Sequence, residues 1–207
     1  MDSRFHQLFY ITLLSLLSFL TSCKYNTDKK LVVKSNFNNN KYNFYVLNSS
    51  NDTVFKSDKY WICFDDTFEN FMIVAPKDRD GFWAIDLKEN YLFEVYNRND
   101  GEPYPDRFRN NRIRIVDKNN KIGFADKEGK IVIQPQFEQA TYFKNGIALI
   151  GKSCRKIPLD NDNKKNICNH YSIECDRNGV INLTGQIIYI GNDSYEELTD
   201  RFNFNLY

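Results

Sequence analysis

From Tyr42 to Val74 the chain alternates short apolar or aromatic runs with clusters of turn-forming residues. Tyr42 to Leu47, Val54 to Lys56, Tyr60 to Phe64 and Phe71 to Val74 are the runs; Asn-Ser-Ser-Asn-Asp, Ser-Asp and Asp-Asp-Thr separate them. β-Branched and aromatic side chains bounded by turn formers predict short strands. Further on the rhythm becomes repetitive. Gly123-Phe124-Ala125-Asp126-Lys127-Glu128-Gly129-Lys130-Ile131-Val132 returns 56 residues later as Gly179-Val180-Ile181-Asn182-Leu183-Thr184-Gly185-Gln186-Ile187-Ile188. Each reads strand, turn, strand, with an acceptor side chain (Asp126, Asn182) three residues before a glycine that tolerates positive φ (Gly129, Gly185).

A second echo has a period of 35: Phe108-Arg109-Asn110-Asn111 against Phe143-Lys144-Asn145-Gly146, each leading into an apolar strand (Ile113 to Val116, Ile147 to Ile150). A more eroded copy starts at Trp83-Ala84-Ile85-Asp86 and runs through Glu89-Asn90 to Tyr91-Leu92-Phe93. The expected turn residues of the repeats are Gly123, Asp126, Gly129, Gly146, Gly179, Asn182 and Gly185. Ser194 to Phe202, with Glu196 and Glu197 early in it, reads as an N-capped helical turn. The expected fold is therefore all-β: tandem antiparallel β-hairpin repeats forming a twisted sheet array, with a short C-terminal helical cap.

The stretch Lys121-Ile122-Gly123-Phe124-Ala125-Asp126 through Pro135 to Ala140, followed by Phe143, Asn145-Gly146 and Ala148, closely resembles a WG-repeat unit. The resemblance is good over 121–150 and partial over 81–116 and 177–190. It departs at Ile122 and Asn178, which stand where the family often has Trp or Tyr before the glycine. It implies a hairpin array and assigns no chemistry. Residues 41–80 are expected to be an N-terminal β region or divergent repeat, and 81–207 the WG-like repeats, interrupted by a Cys-rich insertion at 152–176.

The N-terminus reads as an address. Leu8 to Leu20 is apolar except for Thr12, Ser15 and Ser18 and follows a short segment bearing Arg4. As a helix it would reach ~20 Å, short of a ~30 Å hydrocarbon core, which favours a signal peptide over a span. Leu20-Thr21-Ser22-Cys23 resembles the bacterial lipobox. The resemblance implies cleavage of residues 1–22 and acylation of Cys23. Residues 23–40, polar and Asn-rich apart from Leu31-Val32-Val33, are expected to act at least in part as a tether. The expected location is the bacterial envelope, lipid-anchored at the outer membrane and facing the periplasm, since Tyr25 to Lys30 holds no acidic cluster of the kind that exports some lipoproteins.

Composition narrows the function. Of 207 residues 42% are hydrophobic and 27% charged, enough for a folded core. A net charge of +1 provides little field for a polyanion, so nucleic acid is not an expected partner. The histidines are His6, inside the signal segment, and His170. No nucleophile elbow, phosphate loop, dinucleotide fingerprint or zinc-protease motif is present. The neighbouring carboxylates Asp65-Asp66 and Glu196-Glu197 read as solvated turns. No enzyme activity and no cofactor are expected.

Once Cys23 is set aside, Cys63, Cys154, Cys168 and Cys175 remain, an even number in an oxidising compartment. Two disulfides are expected: Cys154 to Cys168 with Cys63 to Cys175, or Cys154 to Cys175 with Cys63 to Cys168. Free thiols, or a zinc site from Cys154, Cys168, His170 and Cys175, are the alternatives. Asp160-Asn161-Asp162-Asn163 carries calcium-type oxygens, but Lys164 and the lack of a following glycine oppose that reading. Among the aromatics, which include Tyr96 and Tyr104, Trp61 and Trp83 are candidates for a contact surface. In the basic cluster Arg107, Arg109, Arg112 and Arg114, the last two share a strand face. That face is either a charged edge strand or, with Trp83, a surface for an acidic partner or an anionic envelope surface. The leading expectation is a non-enzymatic, membrane-anchored module that binds another envelope or secreted protein. An envelope hydrolase or glycan-binding protein, using carboxylates and surface aromatics, is the alternative, and a passive structural lipoprotein a third.

Overall fold

The computed structural model describes residues 31–38, 40–65, 67–99, 103–158 and 171–204. The expected signal segment, Cys23, and the segment with Cys168 and His170 lie outside them. Among the described residues no helix is long and apolar enough to cross a membrane.

The strands, in order, are β1 (Leu31–Asn38), β2 (Lys41–Leu47), β3 (Thr53–Ser57), β4 (Tyr60–Cys63), β5 (Thr67–Phe68), β6 (Met72–Pro76), β7 (Phe82–Ile85), β8 (Tyr91–Val95), β9 (Asn97–Asn99) and β10 (Pro103–Pro105). There follow β11 (Ile113–Val116), β12 (Ile122–Ala125), β13 (Ile131–Phe137), β14 (Gln139–Ala140), β15 (Ile147–Pro158), β16 (Tyr171–Asn182), β17 (Ile187–Gly191) and the helix α1 (Tyr195–Arg201). They build a seven-stranded sheet ordered β13-β12-β11-β8-β7-β6-β4, two four-stranded sheets ordered β3-β2-β1-β5 and β14-β15-β16-β17, and a ribbon β10-β9. All these pairings are antiparallel. The fold is mostly β, antiparallel sheets made from hairpins, with one short C-terminal helix among the described residues.

The turns explain why the chain folds back so often. In four hairpins an Asx side chain accepts hydrogen bonds from backbone N–H groups two and four residues on: Asn48, Asp86, Asp117 and Asn182. In a fifth, Asp126 accepts from the Lys130 backbone N–H, four residues on, at 2.8 Å. The fourth residue of each turn has positive φ: Asn51, Glu89, Asn120, Gly129 and Gly185. Asn and Gly adopt this conformation readily. Glu89, at φ 62°, does so at a cost, offset by a polar cluster. Its Oε1 accepts from Ser57 Oγ at 2.8 Å and Tyr60 OH at 2.9 Å, and its Oε2 from Lys59 Nζ at 2.7 Å. Two further turns, Asn110-Asn111 and Asn145-Gly146, have positive φ at both central residues, with reciprocal backbone bonds between Arg109 and Arg112 and between Lys144 and Ile147. This is the primed geometry that matches strand twist.

Two expected turn glycines are strand residues instead. Gly123 lies in β12 and Gly179 in β16, neither with positive φ. A Cβ on Gly123 would stand against the Ile133 carbonyl and 2.6 Å from Pro135 N; on Gly179 it would meet Tyr189 O at 2.5 Å. The reason for glycine is close backbone approach, not turning. The expected tether also shortens. Leu31–Asn38 pairs along β2, and Leu31 and Val33 pack against the buried cluster of Phe44, Val46 and Met72, so the apolar start of the segment outweighs its Asn content.

Side chains alternate across a strand, and β6 is buried on both faces. Met72 and Val74 join the N-terminal sheet's core, whereas Ile73 joins Phe82, Phe93 and Ile115. Phe124, Phe137, Phe143 and Ile181 make a third core, and Leu149, Val180, Leu198 and Phe204 a fourth beneath α1. Ser194 caps α1 with a reciprocal Ser194–Glu197 capping box. Beyond the core, β15 and β16 continue as a two-stranded arm through most of the expected insertion, with Arg155 bridging Glu174 and Asp176 across it.

Candidate functional site

Where the β9–β10 ribbon, the start of β11, β14 and α1 meet, they enclose a cavity of about 410 Å³. Asp106 and Arg114 hold its side together. Asp106, 3% exposed, accepts from Arg114 Nε and Nη2 at 3.0 and 2.9 Å, and from the Arg114 backbone N–H at 3.0 Å. Arg114 Nη1 donates to the Ala140 carbonyl at 3.1 Å, and the guanidinium lies 4.2 Å from the Tyr96 ring centroid. A bidentate carboxylate with stacking on an aromatic face is the geometry arginine fits and lysine does not. Removing either partner would leave a buried charge.

This differs from the sequence expectation for Arg112 and Arg114. β11 lies inside the seven-stranded sheet between β8 and β12, so the pair does not protect an edge. Arg114 is consumed by Asp106, a partner eight residues upstream. Arg112 is half-buried, donating from Nε to the Leu183 carbonyl at 3.1 Å and from Nη1 to the Asn111 carbonyl at 2.9 Å. They fasten neighbouring units and form no exposed basic stripe.

The exposed cations are the other two of the cluster. Arg109 stacks 4.3 Å from the Tyr142 ring centroid and Arg107 5.4 Å from that of Tyr104. Both line the cavity, and no hydrogen bond or ion pair engages either guanidinium among the described residues. Tyr195, from the first turn of α1, lines it as well; burial pushes its phenol well above the usual range, so it remains a neutral donor. Four arginines and a single carboxylate line the cavity, and that carboxylate is already paired. The arrangement suits an anionic group that accepts hydrogen bonds. Asp106, Tyr142 and Tyr195 escaped the sequence reading. The available signal was an acid eight residues before Arg114, too distant to mark a pair until β11 is aligned beside the ribbon.

Trp83 is half-buried, edge-on to Tyr91 at 5.4 Å and hydrogen bonded through Nε1 to the Asp80 carbonyl at 2.9 Å, away from the cavity lining. Trp61, in β4, is 60% exposed. Cys154 and Cys175 face each other across β15 and β16 and form a disulfide. That replaces the expected Cys154–Cys168 and Cys63–Cys175 pairs and agrees with the first half of the other pairing; Cys168 lies outside the described residues. It also removes two thiolates from the zinc alternative. Cys63 Sγ lies 3.7 Å from Met72 Sδ. No three His, Cys, Asp or Glu side chains come together to hold a metal ion among the described residues.

The repeat turns behave as expected at Asp126, Gly129, Gly146, Asn182 and Gly185. Comparison with curated proteins found no match. The unit that runs from β12 through β13 and β14 into β15, and supplies Gln139 to Tyr142 to the cavity wall, is a WG-containing repeat at residues 122–152.

Proposed function

We propose that the protein is a non-enzymatic binding module, held at the bacterial envelope by acyl chains on Cys23, that captures an acidic segment of another envelope or secreted protein in the arginine–tyrosine cavity. The observation that carries this reading is the pair Arg107 and Arg109, oriented by Tyr104 and Tyr142 while their N–H forks remain unspent among the described residues. A ligand carboxylate would meet donors that need little reorganisation. Catalysis fits the cavity less well, because Asp106 is engaged on both oxygens by Arg114 and offers no general base.

Fluorescence anisotropy with a labelled hexaglutamate peptide tests the site. Saturable binding should weaken at least about tenfold in Arg107→Ala/Arg109→Ala, since charge-assisted bonds contribute ~1.5–3 kcal/mol each. Equal binding by wild type and variant would contradict the reading. The anchor has a separate test: radiolabelled fatty acid should enter the full chain in bacteria and be lost in Cys23→Ser.

A further inference from the structure

A second opening lies on the other side of the β9–β10 ribbon and shares no lining residue with the arginine cavity. It is an open cleft of about 610 Å³ between Trp61 on β4, the β6–β7 turn and Asn97 on β9. We propose that this cleft is a binding site for neutral saccharide rings. Three observations point there together.

The first is the indole. Trp61 is 60% exposed on an edge strand, with Lys77 Nζ 5.1 Å from its centroid. A large flat side chain in this position presents apolar area to a ligand. The second is charge. Lys77 and Arg79 balance Asp78 and Asp80 in the lining, in contrast to the net positive arginine cavity. A charged ligand gains no overall attraction here. The third is an excess of fixed acceptors. Asp78 Oδ1 accepts from the Tyr91 hydroxyl at 3.0 Å and pairs with Arg79 Nε at 3.5 Å, while the Arg79 guanidinium lies against the Tyr91 and Trp83 rings at 3.7 and 5.0 Å. The Asn97 amide oxygen on the inner wall is buried with no donor among the described residues. A ligand suited to all three has no net charge, supplies several hydroxyl donors and offers a C–H face to an indole. A pyranose ring meets these conditions. A peptide strand supplies fewer side-on donors and no flat apolar face of that size.

The chain contains two tryptophans, so its indole N–H region is simple to follow by NMR. The full chain would be titrated with β-1,4-linked tetramers of glucose and of N-acetylglucosamine. Saturable shifts of the Trp61 indole and the Asn97 side-chain amide are expected with at least one of them. Affinity should fall about tenfold in Trp61→Ala and be unchanged in Arg107→Ala/Arg109→Ala. Because Trp61 is exposed, Trp61→Ala should fold, and Trp61→Phe should retain part of the affinity. Absence of shifts with both tetramers, or shifts indifferent to Trp61→Ala, would overturn the proposal. So would competition by hexaglutamate at the same resonances.

Discussion

Asn110 Oδ1 accepts a hydrogen bond from the Gly146 backbone N–H at 2.8 Å, joining the primed turns of two successive units across 36 residues. Both turns reverse the chain through residues of positive φ. The bond makes the tip of one hairpin a brace for the next, so array geometry depends on a side chain that sequence alone marks only as a turn former.

Replacing Asn110 with Ala should cost about 2 kcal/mol, combining ~1 kcal/mol for the lost bond with ~1 kcal/mol for alanine in the left-handed region. Asn110→Gly keeps the backbone freedom and loses only the bond, so it should cost about half as much. Urea unfolding separates the two contributions; an Asn110→Gly variant as stable as wild type would show that the brace contributes nothing.

Glu89 provides a pH prediction. Burial opposes its ionisation, yet hydrogen bonds from Lys59, Ser57 and Tyr60 outweigh burial and hold the carboxyl below its ordinary range. Since the folded value is below the unfolded one, ~4.3, the stabilisation is complete above the unfolded value and disappears as pH falls through the folded one. Thermal unfolding of wild type should therefore drop more steeply than that of Glu89→Gln between about pH 5 and pH 3. Parallel curves would refute the network's role.

The same residue tests whether backbone strain or the network dominates. Glu89→Gly relaxes φ by ~1 kcal/mol but deprives the nearly buried Ser57 and Tyr60 hydroxyls of their acceptor, at ~1–3 kcal/mol each. A net loss of about 2 kcal/mol is expected. A stabilised variant would mean that the turn, not the cluster, governs this position.

At Gly123 the backbone of β13 occupies the space a methyl group needs. Gly123→Ala should destabilise by ~1–3 kcal/mol through forced separation of β12 and β13. Gly146→Ala meets no atom within 4 Å and should show only the ~1 kcal/mol of its positive φ. Chemical denaturation ranks the two, and the reverse order would contradict the close-approach explanation.

What the sequence made legible was local. Asp126 and Gly129, or Asn182 and Gly185, carry their turn within a few residues, because an Asx acceptor and a left-handed position suffice to define it. Strands β2, β3, β4 and β6 were legible for a similar reason: short β-branched runs lie between such turns. The disulfide was legible only as one of two pairings, since spacing says nothing of register; Cys154 meets Cys175 because β15 and β16 pair along their length. Arg114 was misread because its outward alternation looks like solvent exposure until Asp106 and Tyr96 are folded over it. Leu31–Asn38 looked like a linker because its asparagines mask an apolar start that finds a partner in β2.

The most direct test of the central claim is calorimetric titration of hexaglutamate into wild type, Arg107→Ala/Arg109→Ala and Arg107→Lys/Arg109→Lys. The lysine pair keeps the charge but loses the planar forks that stack on Tyr104 and Tyr142. The account predicts saturable binding by wild type, clear weakening with lysine and near-complete loss with alanine. Binding that is the same in all three, or absent from wild type, would contradict it.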